Sequence, residues 1–454
     1  MARIFGTDGV RGVANADLTP ELAFKLGRAG AWALSNELDR ERPFVVARDT
    51  RLSGTMLEAA VIAGITSAGR DALAVGVAPT PAVPCIVAAT GAAGGVMISA
   101  SHNPIEYNGV KFFGADGYKL DDAREREIEA LLDDDAAPRP THAGVGRAKA
   151  APTLVERYVA ALLAAGGDLA GLTVVVDAAF GAAYRVGPAV FAELGARVDA
   201  VHAEDDGSRI NVACGSTNTD ALCARVRALA AADPSAQVVG VAFDGDADRV
   251  LFVSEDGETL SGDHVMFALA RESKRRGALA GDTLVATVMS NVGLERALRE
   301  EGIALVRAAV GDRYVLEAMR AGGFTLGGEQ SGHIIDFARN TTGDGPMTAV
   351  ALLSLAAREG TTLRELTAPV HVYPQILLNV AGVTAAVLDE PGVRRAIGDA
   401  EAELGQSGRV LVRPSGTEPL VRVMVEGERA ETIERLARHI VAAVRAATPQ
   451  VRAL

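Results

Sequence analysis

Short valine-rich apolar runs alternate along this chain with longer stretches of alanine, leucine and arginine. Residues 44–47 (FVVA), 73–77 (LAVGV) and 95–98 (GVMI) are apolar runs of strand length, and residues 55–68 between the first two predict a helix. The alternation recurs as strand 172–177, helix 182–194 and strand 238–243, with a polar, Gly/Ser/Asn-bearing loop over 205–220. A third set runs through 283–288, 294–301, 304–310, 314–320 and 324–326. Such βα alternation builds parallel or mixed sheets. After about residue 368 the order changes to strand 371–380, helix 393–404, strands 409–412 and 421–426, and helix 428–446. That order predicts an antiparallel α+β unit. Its last helix puts Ile433, Leu436, Ile440 and Val444 on one face, so it packs on a sheet.

Residues 133–152 (DDDAAPRPTHAGVGRAKAAP) combine a charge run, three prolines and no periodicity, and mark the clearest domain boundary. The expected fold is α/β: three similar mixed-sheet domains at 1–150, 151–255 and 256–368, then a smaller α+β domain at 369–454. At about 150 residues per domain, a length of 454 residues gives roughly three domains, or four small ones.

Composition narrows the partners. Forty-five basic against 58 acidic side chains leave a net charge of −13, which argues against nucleic acid or an anionic membrane as partner. The three cysteines, Cys85, Cys214 and Cys223, show no CxxC spacing. Neither a disulfide framework nor a structural zinc motif is expected, and a reducing cytoplasm fits. The first residues, MARIFGTDGVRG, hold no apolar core of signal-peptide length, and no uninterrupted apolar run of membrane length follows.

Four loops can carry chemistry. Ser99-Ala100-Ser101-His102-Asn103-Pro104 follows a predicted strand, where open α/β sheets place ligands. Its serine can be a nucleophile or phosphoryl carrier, or the segment can be a polar turn. Asp244-Gly245-Asp246-Ala247-Asp248-Arg249 also ends a strand, and three alternate carboxylates form a hard pocket suited to Mg²⁺. An EF-hand is excluded because Arg249 replaces the turn glycine and strand continues over 250–253. Residues 327–333 (GGEQSGH) form a glycine-flanked loop whose Glu329 and Ser331 can hold sugar hydroxyls, or a plain turn. Residues 413–419 (RPSGTEP), with Arg422 on the next strand, offer hydroxyls, backbone N–H groups and guanidinium to a phosphate. In an acidic chain a phosphate ligand needs local positive charge, and Arg11, Lys111, Arg249, Arg413 and Arg422 all lie in or beside these loops.

Taken in order, the four loops resemble the α-D-phosphohexomutase superfamily, from FGTDGVRG at 5–12 to RPSGTEP at 413–419. Within it the chain is most similar to the bacterial branch acting on glucosamine phosphate, through FGTDGVRGVAN, TVMSN at 287–291, VGDRY at 310–314, GGEQSGH and TTGDG at 341–345. The resemblance implies four domains around a central cleft and a role for each matching residue. Ser101 is then the phosphoserine and a metal ligand, with Asp244, Asp246 and Asp248 binding one Mg²⁺. Lys111, His102, Arg11 and Arg249 lie near the transferred group. Glu329, Ser331 and His333 hold the sugar, while Arg413, Ser415, Gly416, Thr417 and Arg422 grip the non-reacting phosphate. It further implies a monomer or homodimer that interconverts glucosamine 6-phosphate and 1-phosphate, with a sugar 1,6-bisphosphate as intermediate and activator. A glucose or mannose phosphate mutase of the same mechanism, a Mg²⁺-dependent sugar phosphatase and a phosphosugar sensor stand as alternatives.

Overall fold

The computed structural model describes residues 3–6, 8–35, 41–132, 139–414 and 419–448. Its compact units are two: one runs through Thr287 and resumes at Leu305–Ala368, the other joins Val288–Ala304 to the segment from Pro369 onward.

The first unit holds three mixed sheets. The first sheet has the spatial order Val10–Val13, Tyr107–Gly114, Gly94–Ile98, Phe44–Arg48, Ala72–Val77, Ala148–Ala150. Its pairs are parallel from Gly94–Ile98 onward, while Tyr107–Gly114 runs antiparallel to both neighbours. Helices Pro20–Ala33 and Gly54–Ser67 pack beside it at very short range. A Cβ added at Gly27 would meet the Val61 carbonyl oxygen at 2.3 Å, and one at Gly64 the Phe24 oxygen at 2.1 Å. Only glycine permits that approach.

The second sheet has the order Thr259–Leu260, Val250–Val253, Gln237–Phe243, Leu172–Asp177, Arg197–Val201, parallel except at its first two strands. All six residues of Leu172–Asp177 are buried, as a central parallel strand requires. The third sheet orders Ala304–Ala308, Thr283–Thr287, Leu326–Gly328 and Ile334–Asp336. In each sheet a chemistry-bearing loop leaves a strand's C-terminal end: at Ile98, at Phe243 and at Gly328.

The second unit is a three-stranded antiparallel sheet, ordered Gln375–Ala381, Leu420–Gly427, Gly408–Pro414, with helices Pro391–Leu404 and Ala430–Ala446. Ile433, Leu436, Ile440 and Val444 lie buried with Val421, Val423 and Val425, so the expected helix face meets the sheet. The molecule is thus a multi-domain α/β protein with a smaller C-terminal domain.

Where pattern and structure part, hydrogen bonds explain it. The strand expected from 371 begins at Gln375. The Tyr373 N–H donates to Asn291 Oδ1 and its carbonyl accepts from Asn291 Nδ2, both at 3.0 Å, while Pro374 has no N–H to give a ladder. The helix expected from 182 begins at Val186 because the preceding turn is committed elsewhere, the Ala182 N–H donating to the Gly245 carbonyl at 2.8 Å. The expected boundary at 133–152 falls partly on 133–138, outside the described residues. Its later part forms a turn at His142–Gly144 and an edge strand at Ala148–Ala150. Among the described residues no helix is long and apolar enough to cross a membrane.

Candidate active site

Ser101 sits at the turn that ends strand Gly94–Ile98, buried, with a left-handed backbone (φ 54°). A non-glycine residue there costs on the order of 1–2 kcal/mol, so its surroundings must over-determine it. They do. The fully buried Arg51 guanidinium donates to four carbonyls of this loop, those of Ser101, Asn103, Pro104 and Tyr107. Arg51 is itself paired with Asp49 at 3.0 Å, and Ser99 Oγ links Asp49 to the Ser101 N–H. Asn211 Nδ2 adds a bond to the Ser101 carbonyl at 2.9 Å. The result is a hydroxyl aimed at a fixed point, where Ser101 Oγ donates to Asp244 Oδ2 at 2.7 Å. His102 Nδ1 lies 3.4 Å from the same oxygen. Burial, then Arg249 and Arg11, push the His102 pKa down to about 4, so at neutral pH its ring is uncharged.

Asp244, Asp246 and Asp248 are buried, and one oxygen of each lies within 4.8 Å of the others. Asp246 Oδ2 accepts from Lys111 Nζ at 2.7 Å and Thr80 Oγ1 at 2.6 Å. Asp246 Oδ1 and Asp248 Oδ1 have no hydrogen-bond partner among the described residues. Buried carboxylate oxygens left in that state are costly unless a cation completes them. Burial and the neighbouring Asp248 and Asp246 hold the Asp244 pKa well above the usual carboxylate range, the effect of crowded buried anions outweighing the nearby Arg249. For Asp246 burial opposes ionisation, but Lys111 overrides it and lowers the pKa. The three form an acidic metal-binding triad whose all-oxygen donors suit a hard divalent cation.

The cations around this triad are held by Asp8. Its Oδ2 takes Lys111 Nζ at 2.8 Å and also pairs with Arg11, while Oδ1 takes Lys119 Nζ at 2.7 Å. Lys119 in turn pairs with Asp312. The Arg249 backbone N–H donates to Asp244 Oδ1 at 3.2 Å, and its backbone forms an isolated antiparallel β-bridge with that of His333. His333 is buried, its Nε2 3.9 Å from Asp248 and 3.8 Å from Asp312, and neither ring nitrogen is hydrogen-bonded among the described residues. Gly343 makes room for it, since a Cβ there would lie 2.2 Å from Nε2. In the adjoining loop Glu329 Oε1 accepts from the Gly311 N–H at 3.1 Å and Oε2 from Ser331 Oγ at 3.2 Å.

In the second unit Arg413 and Arg422 stand directly opposite one another across an antiparallel pair. Burial and the Arg422 charge lower the Arg413 pKa, and the buried Arg422 Nε has no hydrogen-bond partner among the described residues. Two facing guanidiniums call for an anion. The predicted positions Ser415, Gly416 and Thr417 lie outside the described residues.

Comparison with known proteins agrees with this layout. The phosphoglucomutase/phosphomannomutase domain profiles match in chain order: alpha/beta/alpha domains I, II and III at residues 2–139, 156–257 and 261–373, and the C-terminal domain at 377–443. The chain belongs to the phosphoglucomutase/phosphomannomutase family. This family member is 52% identical over 440 residues to phosphoglucosamine mutase of Moorella thermoacetica, covering 96% of this chain and 98% of that one. It is likewise 52% identical over 450 residues to that of Mycolicibacterium paratuberculosis, covering 98% and 100%. Among solved structures it is similar to a phosphoglucomutase/phosphomannomutase family protein from Burkholderia thailandensis, with TM-score 0.82, 25% identity and 98% of both chains covered. The fold is shared with Aspergillus fumigatus N-acetylphosphoglucosamine mutase, with TM-score 0.63 and 19% identity over 98% of this chain and 95% of that chain.

Within the first unit of this phosphohexomutase, the residues expected from the first three loops converge. Several that position them were given no role from the sequence. Asp49 and Arg51 follow directly on strand Phe44–Arg48, so the strand-end rule would have found them. Asp8, Lys119 and Asp312 are joined only by charge pairing across more than 100 residues.

Proposed function

We propose that this chain is a phosphoglucosamine mutase that moves a phosphoryl group between O6 and O1 of glucosamine phosphate through phosphorylated Ser101. The observation that carries it is the buried Ser101 hydroxyl, held on a left-handed backbone and bonded to a carboxylate triad with two oxygens that lack hydrogen-bond partners among the described residues. The choice of amino sugar rests on the curated relatives, which are phosphoglucosamine mutases.

Phosphoryl transfer asks the protein mainly to align groups and neutralise charge. The O1 hydroxyl of glucosamine 6-phosphate attacks the phosphoserine phosphorus, the P–Oγ bond breaks, and a proton passes from the sugar to the departing Ser101 oxygen. The bound 1,6-bisphosphate then turns over. Ser101 Oγ attacks the phosphorus at O6, that P–O bond breaks, and glucosamine 1-phosphate leaves from a rephosphorylated enzyme. Lys111 and Arg11, aligned by Asp8, neutralise the equatorial oxygens in both halves, and Lys111 is the group that relays the proton. Asp244, Asp246 and Asp248, with an oxygen of the Ser101 group, would hold one Mg²⁺, which supplies Lewis-acid charge neutralisation when bound. Glu329 and Ser331, with His333 beside them, are assigned the sugar hydroxyls. Arg413 and Arg422, with the 415–417 segment, are assigned the phosphate that does not react.

The test offers glucosamine 6-phosphate with and without a sugar 1,6-bisphosphate, and follows 1-phosphate and free phosphate together. Mutase activity stimulated by the bisphosphate is expected. Faster turnover of glucose or mannose phosphate would reassign the substrate, and steady phosphate release without isomerisation would make the protein a phosphatase.

A further inference from the structure

Among the described residues a second set of ligand-bearing side chains lies away from the 244–248 loop: Asp177, His202 and Cys214. A carboxylate oxygen, a ring nitrogen and the sulfur all fall within 4.8 Å of one another. They come from three places in the same α/β layer: the end of strand Leu172–Asp177, the residue after strand Arg197–Val201, and the residue before the turn Gly215–Thr217. Asp177 and Cys214 are fully buried, whereas the His202 side chain is 27% exposed. The cluster is therefore in reach of solvent on the His202 side.

The carboxylate is already oriented. Asp177 Oδ1 accepts from the Ala179 N–H and Oδ2 from the Gly215 N–H, both at 2.9 Å, the kind of support that ligating side chains receive. His202 Nδ1 lies 3.1 Å from Asp177 Oδ2 without the alignment of a hydrogen bond. Two donors on one tetrahedral zinc, each about 2 Å from the metal, sit roughly 3.3 Å apart. A plain Asp–His ion pair accounts for two of the three groups, and Cys214 completes the cluster while packing against Ala179 and Phe180.

We propose that Asp177, His202 and Cys214 form a second metal site, for a thiophilic divalent cation of the Zn²⁺ or Co²⁺ class. Thiolate and imidazole prefer such ions to Mg²⁺, so the site and the all-oxygen triad sort cations by ligand softness. Binding replaces the Cys214 S–H bond with a sulfur–metal bond and releases the proton to solvent. The ion braces the catalytic serine. The loop between His202 and Cys214 carries Asn211, whose N–H donates to Ala179 and whose amide donates to the Ser101 carbonyl. Phe180, two positions beyond the Ala178 that follows Asp177, accepts from Thr50 beside the Arg51 clamp. No CxxC spacing announces the site, because its ligands are 25 and 12 residues apart in the chain (202 − 177 and 214 − 202).

The experiment titrates Co²⁺ into the full-length protein in a large excess of Mg²⁺, which fills the oxygen triad, and records near-ultraviolet and visible absorption. A thiolate-to-cobalt charge-transfer band is expected in the wild type, displaced by Zn²⁺ and unchanged in Asp246→Asn. It should vanish in Cys214→Ser. In His202→Gln, Co²⁺ affinity should fall by at least the 10–100-fold, to order of magnitude, that loss of a ligand's supporting partner costs. Absence of the band in the wild type, or its survival in Cys214→Ser, overturns the site. Should Cys214→Ser fail to fold, His202→Gln decides, and an unaltered Co²⁺ affinity in that variant refutes the assignment.

Discussion

The Ser101 centre and the Arg413–Arg422 pair both present charge, but they stabilise it in opposite ways. Around Ser101 nearly every cation has its anion within the fold: Arg51 with Asp49, Lys111 with Asp246 and Asp8, Arg11 and Lys119 with Asp8. The geometry is therefore set before any substrate arrives. At Arg413–Arg422 two like charges face each other across a ladder, an arrangement that is destabilising until an anion enters. In the proposed reaction the first region would serve transition-state chemistry and the second capture of the substrate's phosphate.

Four outcomes would sharpen or break that contrast. The largest is at Ser101. Ser101→Ala should reduce mutase turnover to background and remove covalent phosphate from the intact-mass spectrum, with the unfolding midpoint near the wild-type value. Wild-type turnover in a phosphate-free Ala variant would end the phosphoserine assignment.

Next comes the scaffold. Removing one partner of a buried ion pair costs about 3–5 kcal/mol. Arg51→Met leaves Asp49 unpaired and frees four loop carbonyls, so it should lose stability of that size and most turnover. Denaturant unfolding beside kinetics checks it; a stable Arg51→Met protein with normal kcat would mean the serine loop needs no clamp.

A third test concerns a buried carboxyl whose hydrogen bonds come from neutral groups. Asp344 accepts from Tyr158 at 2.5 Å, Asn340 at 2.8 Å and the Met347 N–H at 2.9 Å, and burial raises its pKa from 3.8 to about 6. A raised acid favours the folded state while protonated. Its contribution is complete below about pH 4 and is lost as pH rises through about 6, an effect of about 3 kcal/mol. Wild type should therefore lose stability relative to Asp344→Asn between pH 4 and pH 7. Parallel pH profiles for the two would show that Asp344 does not titrate in that window.

The smallest effect on the fold belongs to the cationic pair. Arg413→Ala should lower kcat/KM on the order of a hundredfold, as loss of a charge-assisted phosphate contact does, while stability changes by only a few tenths of a kcal/mol. Inorganic phosphate should raise the wild-type Tm more than that of Arg413→Ala. An equal rise in both would place phosphate elsewhere.

What the sequence determined by itself was whatever depends on neighbours in the chain. Continuous apolar runs specify buried strands, and the strand 172–177 coincides with the pattern residue for residue. Helical spacing specified the buried face of Ala430–Ala446, and strand ends located the loops of Ser101, Asp244 and Glu329. Tertiary structure decided what depends on groups meeting through space. Strand Tyr107–Gly114 turns Lys111 into a partner of Asp8 and Asp246 only because it pairs antiparallel with Val10–Val13 and Gly94–Ile98. The Asn291 amide keeps Tyr373 out of the strand that the pattern allowed it. Asp177, His202 and Cys214 meet where three separate loops converge. Hydrophobic periodicity is a local property of the chain, whereas the pairing of buried charges and ligands is fixed by desolvation, which acts only once distant segments have packed.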